Sequence, residues 1–212
     1  MKMKKDRMLM ITTIVCLLPM ILSLVMYKDL PKEVAIHWNE AGVPNNYAPK
    51  WVAAFGLPIF MAAINIFTHF MLNNDPKKAN AAPVIKLISK WIIPIMTVIL
   101  VPLTLFISVG HNIPVHIVTP AILGVIVVAF GNYLPKCKQN YTVGIKVPWT
   151  LNSEENWNKT HHMAGYLWMI GGICIIMSSL TKLYALFITL GIIGVISIIP
   201  IVYSYLLYKK GV

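Results

Sequence analysis

Apolar residues along this chain come in long unbroken blocks separated by short polar stretches. They do not recur at the spacing of an amphipathic helix or a half-buried strand. The blocks lie at about 8–27, 51–72, 88–109, 115–134, 163–180 and 183–206. Each approaches or exceeds the ~18 uncharged residues that cross a bilayer core of ~30 Å. A backbone inside lipid must satisfy its own polar groups, which predicts helices. A barrel would need alternating strands of ~10 residues, and runs such as Ile117–Phe130 do not alternate. The expected fold is all-α, a polytopic membrane bundle of six transmembrane helices. Pro19, Pro58, Pro94, Pro102 and Pro200 fall inside blocks, where each removes a hydrogen bond and predicts a kink. Gly165, Gly171, Gly172, Ser178 and Ser179 in the fifth block, with Gly191 and Gly194 in the sixth, allow close backbone approach. With only Thr181-Lys182 between them, these two blocks are expected to form a tight antiparallel pair.

Composition sharpens this picture. Of 212 residues, 58% are hydrophobic and 12% charged, against roughly a quarter charged in soluble domains. The formal net charge of +11 invites a nucleic-acid reading, but its distribution argues otherwise. Lys2, Lys4, Lys5, Arg7, Lys77, Lys78, Lys86, Lys90, Lys136, Lys138, Lys146, Lys159, Lys209 and Lys210 all fall on one side of the six-span arrangement. The opposite side holds Lys28, Lys32, Lys50 and Lys182, and the first three share a loop with Asp29, Glu33 and Glu40. Basic loops resist translocation, so both termini are expected in the cytoplasm, with no direct nucleic-acid partner. The start, Met1 to Arg7 followed by an apolar stretch, is like a signal peptide. Ser23-Leu24-Val25-Met26-Tyr27 offers no small-x-small cleavage site, so it reads as an uncleaved anchor. Cys16 and Cys174 lie in blocks and Cys137 on the cytoplasmic side, giving no disulfide framework.

Two connections are long enough to recognise something outside lipid: an outer loop at 28–50 and an inner loop at 135–162. They suggest three portions, 1–72, 73–134 and 135–212. In the outer loop, Val34, Ile36 and Trp38 alternate with Ala35 and His37, predicting a short extended segment. Asn39 to Asn46 then carries turn formers, and Trp38, Tyr47 and Trp51 suit the headgroup region. No second His or Cys accompanies His37, so no metal or cofactor is expected. In the inner loop, Pro148 breaks what precedes it and Ser153 is a good helix N-cap. Glu154 and Glu155 favour the positive end of a helix that places Trp157 and His161 on one face and continues into the fifth span. The segment reads as a folded cytoplasmic ledge, and the 73–87 connection as a basic linker.

The chain lacks the signs of an enzyme. His161-His162 does not have the glutamate spacing of a zinc-protease helix, and no Gly-x-Ser-x-Gly elbow occurs. Coupled transport would call for ionisable groups near the midplane. The spans offer none; Asn65 and His69, the latter near the inner interface, are the strongly polar residues of the second.

Leu30-Pro31, Ile36-His37-Trp38-Asn39, Gly42, Pro44 and Tyr47 resemble the extracytoplasmic signature of the domain known as DUF1648. Gly131-Asn132, Asn140, Gly144-Ile145, Pro148-Trp149-Thr150-Leu151, Trp157, Thr160-His161 and Gly165 resemble the C-terminal signature of the bacterial SdpI family. Two positions depart from it: Lys146 is followed by Val147 where a basic-polar pair with Arg is usual, and His162 stands where Arg is usual. Lys keeps the charge but loses the bidentate fork. The resemblance implies a membrane immunity and sensor protein that resists a secreted antimicrobial, cannibalism-type peptide. It also implies a cytoplasmic helix-turn-helix repressor held at the membrane. On that reading Ile36, His37, Trp38, Asn39, Gly42 and Tyr47 meet the peptide. Asn132, Asn140, Gly144, Lys146, Pro148, Trp149, Thr150, Trp157 and His161 meet the cytoplasmic partner. The alternative is a small uncoupled transporter or flippase-like component.

Overall fold

The computed structural model describes residues 6–39, 42–80, 82–181 and 184–212. Lys2, Lys4, Lys5 and Lys182, which entered the charge asymmetry, lie outside the described residues, as do Glu40 and Ala41 of the outer loop. The helices are α1 (Arg7–Leu17), α2 (Pro19–Met26), α3 (Leu57–Asn74), α4 (Pro83–Ser108), α5 (Val115–Tyr133), α6 (Pro148–Asn152), α7 (Glu154–Ser178) and α8 (Ala185–Lys209). Between α2 and α3 the chain forms two strands, β1 (Glu33–Trp38) and β2 (Pro44–Pro49), and a π-helical turn at Val52–Gly56. The fold is mainly helical but not all-α, because the outer loop pairs with itself.

Among the described residues, five helical segments are long and apolar enough to cross a bilayer: Arg7–Met26, Val52–Asn74, Pro83–Ser108, Val115–Lys136 and Ala185–Lys209. At ~1.5 Å per residue even the shortest reaches ~30 Å. The expected span at 163–180 is the later part of α7, which is long enough at 25 residues but less apolar than the five. Its Asn156, Trp157, Thr160, His161, Gly165, Gly172 and Ser178 are buried against protein. A helix walled by other helices does not need an apolar surface all round. The burial pattern of the other segments is the reverse of a soluble protein's. Leu24, Val25, Phe60, Phe67, Phe187 and Ile198 are exposed, while Thr12, Asn65, Thr97 and Ser204 are wholly buried. This is what a lipid solvent selects.

The chain forms two compact units, Met1–Met71 with Leu87–Ile113, and Leu72–Lys86 with Pro114–Val212. In the first, the Asp6 carboxylate caps α1 by accepting from the N–H groups of Met8 and Leu9 at 3.1 and 3.2 Å. Pro19 interrupts the first span after Leu17 and occupies the first turn of α2. Leu30 and Val34 pack with Ala53, Ala54, Val101 and Leu105 into a core that seats the root of the hairpin. In the second unit, α5, α7 and α8 pack around Val127, Ile175 and Ile196. Pro94, Pro102, Pro120 and Pro200 are carried inside continuous helices.

The glycines of the fifth block do pack closely, but chiefly against α5. A Cβ on Gly172 would lie 2.7 Å from the Gly124 carbonyl oxygen, and one on Gly131 2.7 Å from the Met169 nitrogen. Gly165 is closed off by Pro135 at 2.5 Å. Toward α8 only Gly171 is tight, 2.6 Å from Ile196 Cγ2, helped by a Ser178–Thr189 hydroxyl contact of 3.3 Å. Gly191 and Gly194 meet nothing within 4 Å.

Candidate functional site

The inner loop is a folded ledge whose centre is the stacked pair Trp157 and His161, ring centroids 3.9 Å apart. Ser153 accepts from the Asn156 N–H at 3.2 Å and starts α7, so the two rings fall one turn apart on a buried face. The Trp157 indole N–H donates to the Cys137 carbonyl at 2.6 Å. The Ile145 N–H donates to His161 Nε2 at 2.9 Å, which fixes the hydrogen on Nδ1, and Nδ1 in turn donates to the Trp157 carbonyl at 2.8 Å. Burial pushes the His161 imidazole down to about 4, with only the Trp157 carbonyl opposing, so the ring is neutral. Gly144, at φ +124°, lies against this pair; a Cβ there would sit 2.5 Å from His161 Nε2. Only glycine fits both the backbone and the space.

The Pro148-Trp149-Thr150 turn is held on both sides. Thr150 Oγ1 accepts from the Val147 N–H at 3.1 Å and lies 2.8 Å from the Ile145 carbonyl and 2.9 Å from that of Val147. The Trp149 indole N–H donates to the Ser204 hydroxyl on α8, with Tyr205 and Tyr208 beside the ring. Asn156 Nδ2 donates to the Ser204 carbonyl at 2.9 Å. Asn140 shapes the preceding loop: its Oδ1 accepts from the Thr142 and Val143 N–H groups at 3.0 and 2.7 Å, and its Nδ2 reaches the Lys138 carbonyl at 2.9 Å. Nδ2 also approaches the buried Cys137 Sγ at 3.1 Å; burial nonetheless pushes that thiol up.

Asp75 and Gln139 complete this framework and were not singled out from the sequence. Asp75 accepts from the Tyr141 N–H at 3.0 Å, from the Thr142 hydroxyl and from the Lys77 N–H at 2.7 Å. Gln139 Nε2 spans the Thr150 and Leu151 carbonyls at 2.9 and 2.8 Å, and its Oε1 accepts from Lys77 Nζ. The 73–87 connection is therefore docked on the ledge, contrary to its reading as a linker. The available signal was a single carboxylate in an otherwise basic loop. Of the inner residues expected to face a partner, Asn132, Lys146 and Pro148 are exposed and Trp149 is half-buried. Asn140, Thr150, Trp157 and His161 are buried, with Gly144 half-buried beside them. Their observed contacts are internal to the ledge.

The outer residues lie on an antiparallel hairpin. Val34 pairs with Ala48 and Ala35 with Tyr47, then a register irregularity precedes His37–Asn46 and Trp38–Pro44. Val34 points into the core while Ile36, His37, Asn39 and Tyr47 are exposed and Trp38 half-buried. Asn39 closes the tip: its Oδ1 accepts from the Val43 N–H at 2.9 Å and its carbonyl from the Gly42 N–H at 2.9 Å, with Gly42 at φ +75°. His37 Nδ1 and Asn45 Oδ1 are 2.6 Å apart across the strands. At the base, Lys50 Nζ donates to the Tyr27 carbonyl at 3.0 Å and lies 4.5 Å from the Tyr27 ring centroid. The tip thus presents polar and aromatic side chains on a braced scaffold.

Comparison with known proteins matches both loops. Residues 136–204 match the SdpI/YfhL protein family and residues 14–62 match the domain of unknown function DUF1648. Over 209 residues the chain is 27% identical to a protein named Immunity protein SdpI from Bacillus subtilis (strain 168), covering 98% of each. No solved structure matches. The matches bear out the family resemblance carried by the two signatures and support a multi-pass protein of the cell membrane.

Proposed function

We propose that this chain, a member of the SdpI family with an N-terminal DUF1648 region, is a membrane immunity protein acting against a secreted antimicrobial peptide. The observation that carries the reading is the end-to-end likeness to an immunity protein, spanning hairpin, helices and ledge alike. The proposed topology has six crossings, α7 counting as the fifth because α5 and α8 cover its less apolar faces. The concentration of basic residues on one side supports a cytoplasmic position for both termini.

In that topology the hairpin faces outward and offers Ile36, His37, Trp38, Asn39, Gly42 and Tyr47 to an amphipathic peptide. The ledge faces the cytoplasm and offers Asn132, Lys146, Pro148 and the edge of Trp149 to a helix-turn-helix repressor. Asn140, Gly144, Thr150, Trp157 and His161 hold that surface in shape, acting on a partner through their neighbours. No turnover is assigned to any of them. Signalling from one face to the other requires the peptide to bind two bundle states with different affinity.

The reading is tested by deleting the gene and challenging cells with secreted peptide toxins. The expected result is killing at a lower dose than the parent strain, reversed by re-expression. Unchanged sensitivity to every peptide overturns immunity; solute flux through the purified protein in proteoliposomes would then favour the transporter alternative.

A further inference from the structure

A second polar cluster lies in the first unit and plays no part in either loop. His69 on α3 is 1% exposed and Asn65, one turn earlier, is wholly buried. Asn65 Nδ2 donates to the hydroxyls of Thr12 and Thr13 on α1 at 3.0 and 3.1 Å. His69 Nε2 lies 3.1 Å from the same Thr12 Oγ1. On its other side, His69 Nδ1 faces Asp6 Oδ2 at 3.6 Å, and Lys90 Nζ on α4 faces that same oxygen at 3.8 Å. Among the described residues, Asp6 and Lys90 are the charged groups acting on His69. Two buried atoms, Asn65 Oδ1 and His69 Nδ1, make no hydrogen bond there. Such groups carry a desolvation cost and call for a reason.

From this geometry we infer that His69, Thr12 and Asp6 form a proton-binding site whose occupant is a single proton taken from water. The same partners serve both states, the Thr12 hydroxyl turning between them. When His69 is neutral, the Thr12 hydroxyl donates to Nε2 and Nδ1–H points at the Asp6 carboxylate. When a proton arrives, it binds the Nε2 lone pair to give an imidazolium. The Thr12 hydroxyl then rotates to donate to the Met8 carbonyl, 2.9 Å away, and its oxygen accepts from Nε2–H. The added positive charge is answered by Asp6 in competition with Lys90. Asp6 is also the cap of α1, so charging His69 draws the start of α1 toward α3 and loosens its hold on α4. The site thus reports local acidity as a change in how three helices are tied together at one end.

The experiment is a pH titration of the full chain in lipid nanodiscs, reading the ring nitrogen resonances of labelled histidine. The His69 signal is assigned by its loss in H69Q. His69 is expected to pass from neutral to doubly protonated as the pH is lowered. D6N should weaken its proton affinity about tenfold and K90M should strengthen it several-fold. A histidine locked in one protonation state would show no such opposite shifts in the two variants. The inference is overturned if His69 keeps one protonation state throughout, or if D6N and K90M leave its affinity unchanged. Should D6N fail to fold, K90M alone decides the matter, since an unchanged affinity in it is sufficient to reject the site.

Discussion

The sharpest dependence on single side chains is at Gly144 and His161. Gly144 combines a positive φ with contact against His161 Nε2 and the Trp157 ring, so G144A should cost about 1–3 kcal/mol, read as a lower denaturation midpoint in detergent. The His161 ring is held near 4 against an ordinary value of 6.5, because burial disfavours its charged form. The folded chain therefore binds this proton less readily than the unfolded chain. The resulting stability is fully present above pH 6.5 and is lost as pH falls toward 4, by roughly 3 kcal/mol in all. Acid unfolding followed by tryptophan fluorescence should steepen across that window, and H161Q should flatten it. Much of this was legible: Ser153, Glu154 and the Trp157–His161 spacing foretold the start of α7 and the shared face. The hydrogen bonds of His161 were not, because its donor, the Ile145 N–H, lies across a turn whose geometry depends on Gly144. Asp75 escaped for a similar reason, since the partners that tie it to the ledge, the Tyr141 N–H and the Thr142 hydroxyl, lie 66 and 67 residues away in sequence.

Among elements, five of the six apolar blocks located described helices long and apolar enough to cross a bilayer, because the ~30 Å core sets their length with little competition from tertiary packing. The sequence was weaker on which helices touch. Glycines mark close approach without naming the partner; α7 proved to meet α5 through Gly124, Gly131, Gly165 and Gly172. A side chain at Gly172 has backbone on the opposite wall, so G172V should cost about 1–3 kcal/mol through overpacking. Gly191 has open space, so G191A should be neutral or stabilising by up to ~1 kcal/mol. Comparing the two in one detergent unfolding series separates a packing contact from a glycine carried for other reasons. Equal losses would remove α5–α7 packing as the reason for the small residues.

For the whole molecule, two-sided recognition stands on how often the chain crosses the bilayer before each loop. Among the described residues five helices qualify by their own apolarity, and the sixth crossing depends on α7 being screened by its neighbours. If α7 does not cross, the charge asymmetry that supports the proposed cytoplasmic termini loses its alternation, and residues 209–210 change sides. Positions 39 and 146 probe the first of the long loops and the second, and both native side chains are exposed. In a cysteine-free background, N39C should react with an impermeant maleimide on intact cells, whereas K146C should react only after permeabilisation. A cysteine at Lys210 should behave like the one at 146 if α7 crosses, and like the one at 39 if it does not. That third position separates a five-crossing from a six-crossing chain, because the first two lie before α7 and cannot sense it.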